Sequence, residues 1–144
     1  MTPASQPNPG LIFEALNAYQ RTAALKGAIE LEVFTHIGDG ARTAAEIAAR
    51  AKASEKGMRV LCDFLTVDGF LTKDGSAYGL SQESAIFLNK RSPAYLGAMA
   101  SFLCGKDLMA QFEDVAAVVR KGGTVQGQGN VSEENPVWSN SRGR

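Results

Sequence analysis

The order in which helix-stopping and helix-starting signals fall between Gly38 and Leu80 leaves few folds open to this chain. Gly38-Asp39-Gly40 closes one helical segment. Thr43 then stands three residues before Glu46, the spacing at which a hydroxyl and a carboxylate satisfy each other's orphan backbone amides as a capping box. A short alanine-rich helix follows, from Ala44 to about Ala51. Ser54 is placed to cap a second helix, SEKGMRVLCDFLTVDG, with Met58, Leu61, Cys62, Leu65 and Val67 as its apolar side and Gly69 as its stop. Phe70-Leu71-Thr72-Lys73 and Ala77-Tyr78-Gly79-Leu80 flank Asp74-Gly75, a dipeptide suited to the positive dihedrals of a tight hairpin turn. Helix, turn, helix and two-stranded hairpin is the winged-helix arrangement.

Helices are expected on both sides of this unit. Leu11, Phe13, Leu16, Tyr19, Ala23, Leu25, Ile29, Val33 and Ile37 recur at three- and four-residue steps, which is helical periodicity, with Gly27 as the expected bend between a first and a second helix. Ser81 caps a short helix through Leu88. Ser92-Pro93 reads as an N-cap with proline in the first helical position, starting YLGAMASFLCG, and LMAQFEDVAAVVRKGG reads as a further helix stopped by Gly122-Gly123. The fold class is therefore mainly α, a winged-helix-like domain with a small β-hairpin wing and additional helices. Residues 1–10 are a leader, 11–88 the winged-helix domain, 89–123 further helices and 124–144 a tail without periodicity.

Composition narrows the function classes. A chain of 144 residues with 44% hydrophobic residues suffices for one domain and its core, and 15 basic against 15 acidic residues withhold the electrostatic footprint of a dedicated nucleic-acid binder. The longest mostly apolar stretch, Tyr95 to Gly105, is far shorter than the ~20 residues of a membrane span, so a soluble protein is expected. The N-terminus has no basic-then-apolar secretory pattern, and Cys62 and Cys104 read as buried free thiols of a cytoplasmic protein. No metal-ligand spacing is present; His36 has only Asp39 near it and reads as structural or surface-exposed. Glu30 and Glu32, two steps apart, point to different sides of a helix and form no acid/base pair. Gly122, Gly123, Gly127 and Gly129 follow a helix and lack the strand-to-helix context of a phosphate loop.

Two readings of the winged helix stay open at this point. As a transcriptional regulator it would use Ser54 to Asp68 as recognition helix and Thr72 to Tyr78 as wing. Arg50, Lys52, Lys56 and Arg59 lie near that helix, but Glu55, Asp63 and Asp68 share it, and the wing tip Lys73-Asp74 cancels. As an interaction domain it would use the first helix, which carries apolar residues on more than one side and so asks for a second partner, expected to be another copy of the chain. A free-standing protein that binds a small apolar ligand is a third possibility without a specific signal.

Taken in order, "ALKGAIELEVFTHI", "RTAAEIAARA", "RVLCDFLTVDGFL" and "YGLS" resemble the N-terminal dimerisation domain of class I S-adenosylmethionine-dependent O-methyltransferases of the plant caffeate and bacterial small-molecule type. The resemblance runs from about Leu11 to Trp138. It implies a homodimer whose subunits exchange helices and cover a substrate pocket, with methyl transfer to a small phenolic or similar acceptor. It implies no contact with nucleic acid or membrane. Phe13, Tyr19, Phe102 and Met109 are the expected pocket or interface residues, as large side chains of the first and late helices. The family's cofactor, S-adenosylmethionine, and its catalytic histidine belong to a C-terminal Rossmann-like domain. This sequence has no strand ending in a glycine-rich loop, so neither catalysis nor cofactor binding is expected of it alone. In such proteins a stretch like ENPVW leads into something like Val-Glu-Phe-Ala-Arg-Ala-Met. A coding sequence for that peptide, read after loss of one base, yields Ser-Asn-Ser-Arg-Gly-Arg and a stop, the order of Ser139 to Arg144. A frameshifted, truncated methyltransferase chain is the expectation, with exposed apolar surface and a tendency to aggregate.

Overall fold

The computed structural model describes residues 6–123. The expected tail, with Gly127, Gly129, Trp138 and the six terminal residues, lies outside the described residues. The chain divides into two compact units, one up to Ser101 and one from Phe102.

In the first unit, α1 (Gly10–Glu30) runs straight through Gly27, against the expected bend there. A Cβ at position 27 would meet nothing within 4 Å, and a glycine without a competing contact does not break a helix. The break comes at Leu31 and Glu32. Glu32 takes a left-handed backbone, φ 57°, and α2 (Val33–Gly38) starts after it. The short α2 supplies the centre of the core, with Val33, Phe34 and Ile37 fully buried against Ala28 and Ile29 of α1. Two guanidinium groups cover its carbonyl end: Arg42 Nη1 donates to the Ile37 carbonyl at 2.8 Å and Arg50 Nη1 to the His36 carbonyl at 3.3 Å, where cations also suit the helix dipole.

Thr43 caps α3 (Ala44–Ala51), accepting from the Glu46 amide at 3.2 Å. The Glu46 carboxylate returns to the Thr43 hydroxyl and to the Arg42 amide, one residue earlier than a capping box requires. Ser54 caps α4 (Glu55–Val67), accepting from the Gly57 amide at 3.2 Å. Each such cap stabilises its helix by about 1 kcal/mol. Met58, Cys62 and Leu65 of α4 pack on Ile47 and Ala48 of α3, whereas Val67, expected on the same side, is 86% exposed. Gly69, at φ 88°, turns the chain out of α4.

The wing follows: β1 (Leu71–Asp74) pairs antiparallel with β2 (Ala77–Leu80), Leu71 opposite Leu80 and Asp74 opposite Ala77. The turn is therefore Gly75-Ser76 and not Asp74-Gly75. Gly75 at φ 60° in the first turn position is the arrangement in which glycine precedes an ordinary residue. Leu71 and Tyr78 face the core, and the Tyr78 amide donates to the Arg42 carbonyl at 2.7 Å, tying the wing to the start of the helix-turn-helix. Ser81 caps α5 (Gln82–Phe87), and Ser81 and buried Ser84 both donate to the Phe70 carbonyl. Ser92-Pro93 does not start a helix. The Tyr95 amide bonds back to the Ser92 carbonyl in a turn, and α6 (Gly97–Leu103) begins four residues beyond the proline. The arrangement is mainly helical with one small hairpin, a winged-helix-like fold.

In the second unit, the helix expected from Leu108 to Lys121 is two: α7 (Lys106–Ala110) and α8 (Val115–Lys121). Asp114 leaves helical geometry to accept from the Ala117 amide at 3.1 Å, a local alternative that acidic side chains favour over helix continuation. Gly122, at φ 80°, ends α8 as expected. No described residue of this unit is buried.

Candidate functional site

Every residue of α1 from Gly10 to Ala23 is exposed, and the helix joins the core only from Ala24 onward. Leu11, Ile12, Phe13, Leu16 and Tyr19 are each more than half exposed, on a helix of 21 residues that spans about 30 Å. Exposed apolar side chains scattered singly are ordinary; five on three consecutive turns form a patch.

The patch continues onto α4. Val60 is 62% exposed and Phe64 borders on exposed, one turn apart on the side of α4 away from Met58 and Cys62. Between the two helices lies an open hollow of about 280 Å³ lined by Gln20, Ala24, Gly57, Val60, Leu61 and Phe64. A second hollow of about 370 Å³ shares Gln20 and Phe64 and runs along α1 past Phe13, Asn17 and Arg21 to Asp68. At its end the Arg21 guanidinium pairs with Asp68 at 3.4 Å. The paired Asp68 oxygen is out of contact with solvent and accepts no hydrogen bond, so this ion pair is its compensation.

Of the four expected residues, Phe13 lines the larger hollow. Tyr19 stands exposed on α1, its hydroxyl accepting from Gln20 Nε2 at 3.3 Å, and it lines neither hollow. Phe102, in the last turn of α6, and Met109, in α7, are exposed residues of the second unit. Val60, Phe64, Arg21 and Asp68 were not singled out as site residues from the sequence. The signal was there for the apolar pair: α4 carries apolar residues at 58, 60, 61, 62, 64, 65 and 67, too many for one buried face.

The chemistry of this surface is burial. Among the described residues no group of three His, Cys, Asp or Glu side chains could hold a metal ion. His36 is half-buried at the end of α2. Cys62 is buried and Cys104 half-buried, so the second thiol is more open than expected; burial pushes the Cys62 thiol up to about 11. No helix among the described residues is long and apolar enough to cross a membrane. Of the basic residues near α4, Arg50 is turned to the His36 carbonyl, whereas Lys52, Lys56 and Arg59 are exposed, and α4 exposes Val60, Phe64 and Val67 as well.

Residues 13–90 match the family model of the O-methyltransferase dimerisation domain, and the chain belongs to that family. It is 31% identical over 102 residues to the tetracenomycin polyketide synthesis 8-O-methyl transferase TcmO of Streptomyces glaucescens, a match covering 69% of this chain and 30% of that protein. A crystal structure from Nostoc punctiforme PCC 73102, of a protein named as an O-methyltransferase, is 44% identical with a TM-score of 0.86, over 92% of this chain and 41% of that one. Human N-acetylserotonin methyltransferase, solved with SAM, is similar in fold: TM-score 0.76 at 23% identity, over 99% of this chain and 43% of that one. The chain thus spans less than half the length of these relatives.

Proposed function

We propose that this chain is the dimerising part of an S-adenosylmethionine-dependent O-methyltransferase and that its partner is a second copy of itself. The observation that supports this best is the apolar face shared by α1 and α4, which nothing in the first unit covers. On this reading Phe13, Tyr19, Phe102 and Met109 are each proposed as interface or acceptor-pocket residues. The acceptor is a small phenolic or similar molecule, a class in keeping with the polyketide named for TcmO. The free thiols suit a reducing compartment, and we place the protein in the cytoplasm.

Cofactor binding is not assigned to the described residues. Nucleotide-type cofactors sit at the carboxyl ends of parallel strands, before a helix N-terminus. The strands described form an antiparallel pair whose turn, Gly75-Ser76, leads back into a strand. These residues do not fit S-adenosylmethionine, and the chain incubated with it and small phenols is expected to yield no methylated product.

Light scattering on the eluting protein tests the dimer. The chain is expected at twice its 15.3 kDa mass, and Leu16→Asp combined with Phe64→Asp, both at exposed positions, at the single mass with little change in melting temperature. A wild-type chain that stays monomeric at every concentration overturns the proposal. The regulator reading would instead give salt-sensitive binding to duplex DNA.

A further inference from the structure

Consecutive residues Lys90 and Arg91 grip the two ends of α2. Lys90 Nζ pairs with Glu32, the residue before α2, and Arg91 binds Asp39, the residue after it, through two parallel bonds at 2.6 and 2.9 Å. Between them the Lys90 amide donates to the buried Thr35 hydroxyl at 3.0 Å. The Asn89 side chain occupies the space beside Gly38, where a Cβ would come within 2.4 Å of its nitrogen, and the same side chain accepts from the Arg91 amide. Residues 89–91 therefore run along a helix that is itself fixed by Val33, Phe34 and Ile37 in the core.

We propose that residues 89–91 are an ionic strap: the two salt bridges set the route by which the chain leaves the helical core, and raised ionic strength loosens this segment while the core stays folded. The supports differ in kind. The core end of each contact is α2, held by apolar burial that salt does not screen. The strap end is two long side chains, Lys90 about half and Arg91 70% exposed, whose pairing salt does screen. Because the two cations are adjacent and the two carboxylates sit at opposite ends of one rigid helix, either bridge raises the local concentration of the other's partners. Loss of one bridge therefore weakens both. Each cation holds its carboxylate below the ordinary range by a direct hydrogen bond, Lys90 for Glu32 and Arg91 for Asp39. The strap precedes the turn at Ser92 and the Leu96 amide bond to the Phe87 carbonyl at 2.8 Å, so its release is felt up to the start of α6.

Hydrogen exchange on the 144-residue chain tests the strap. Amides from 89 to 96 are expected to exchange about three- to tenfold faster at high salt than at low salt, with those of Cys62 and Leu65 in α4 unchanged within about twofold. Asp39→Asn and Glu32→Gln, each at low salt, are expected to reproduce the high-salt rates and to abolish most of the salt dependence. Exchange at 89–96 that ignores salt overturns the strap. So does acceleration that α4 shares in equal measure, which reports unfolding of the whole unit. If a variant does not fold, the salt series on the unmodified chain distinguishes these outcomes by itself.

Discussion

The phenolic hydroxyl of Tyr78 donates to Oδ1 of Asp63 at 2.5 Å, joining the second strand of the wing to the middle of α4. Lys73 reaches the same oxygen at 2.7 Å from the first strand and lies over the Tyr78 ring, 5.0 Å from its centre. One carboxylate thus fastens both strands to the helix.

That carboxylate makes the wing acid-sensitive. Lys73 first, and Tyr78 second, hold the Asp63 carboxyl below its ordinary value of 3.8. As pH falls the unfolded chain takes up this proton before the folded one does. The contribution of the contact is whole above the ordinary carboxylate range and is lost as pH falls through the depressed folded value. Asp63→Asn is expected to lower the melting temperature at neutral pH and to flatten its decline below about pH 4. An unchanged acid slope in thermal melts followed by circular dichroism would show that other carboxylates carry that slope.

Two glycines are expected to respond to alanine with opposite signs. Gly27→Ala, in the interior of α1 with nothing within 4 Å of its Cβ, should stabilise by about 0.5–1 kcal/mol. Gly69→Ala, equally uncrowded but at φ 88°, should destabilise by about 1 kcal/mol through backbone strain alone. Urea denaturation of both variants checks the pair, and the same sign for both would refute the conformational account.

Two residues at the end of α4 separate burial from hydrophobicity. Leu65 is fully buried, and Leu65→Ala should cost about 2–5 kcal/mol. Val67 is 86% exposed, and Val67→Ala should stay within about 0.5 kcal/mol in a monomeric chain. A large loss at Val67 that grows with protein concentration would place it in the subunit contact.

The thiols should react in sequence. Cys104 is half-buried and Cys62 wholly buried with a raised thiol value, so a maleimide should modify Cys104 in the native chain and Cys62 only as the domain opens. Mass spectrometry of timed samples gives the order; simultaneous labelling would contradict the buried position of Cys62.

What the sequence made legible was local. Thr43, Ser54 and Ser81 cap the helices they were expected to cap because an N-cap is settled within four residues. The break after α1 falls at Leu31 and Glu32 and not at Gly27, and the sequence does not mark it, since Glu32 is a residue type that seldom takes the left-handed region it adopts there. The hairpin turn was misplaced by one residue because register follows from Leu71 and Tyr78 facing the core, which the turn dipeptide does not encode. Ser92-Pro93 suited a helix start equally well, but the bond from Leu96 to Phe87 draws the chain into a turn there. As for the candidate site, the excess of apolar residues on α1 was visible in its spacing. That α4 carries too many apolar residues for one buried face was visible as well; which of them, Val60 and Phe64, stay exposed was not, since the side of α4 that meets the core depends on how α3 packs.

The connection of α3, α4 and the wing in unbroken succession also sets an order of events in time. Their mutual contacts close short loops, whereas α2 must wait for partners from both directions and is too short to persist alone. The segment from Thr43 to Tyr78 is therefore expected to assemble first, with α1 zipping onto it late. Mutational effects on refolding rate should accordingly be large at Ile47 and Leu65 and small at Ile29, and the exposed half of α1 should acquire a fixed direction later than α3, α4 and the wing.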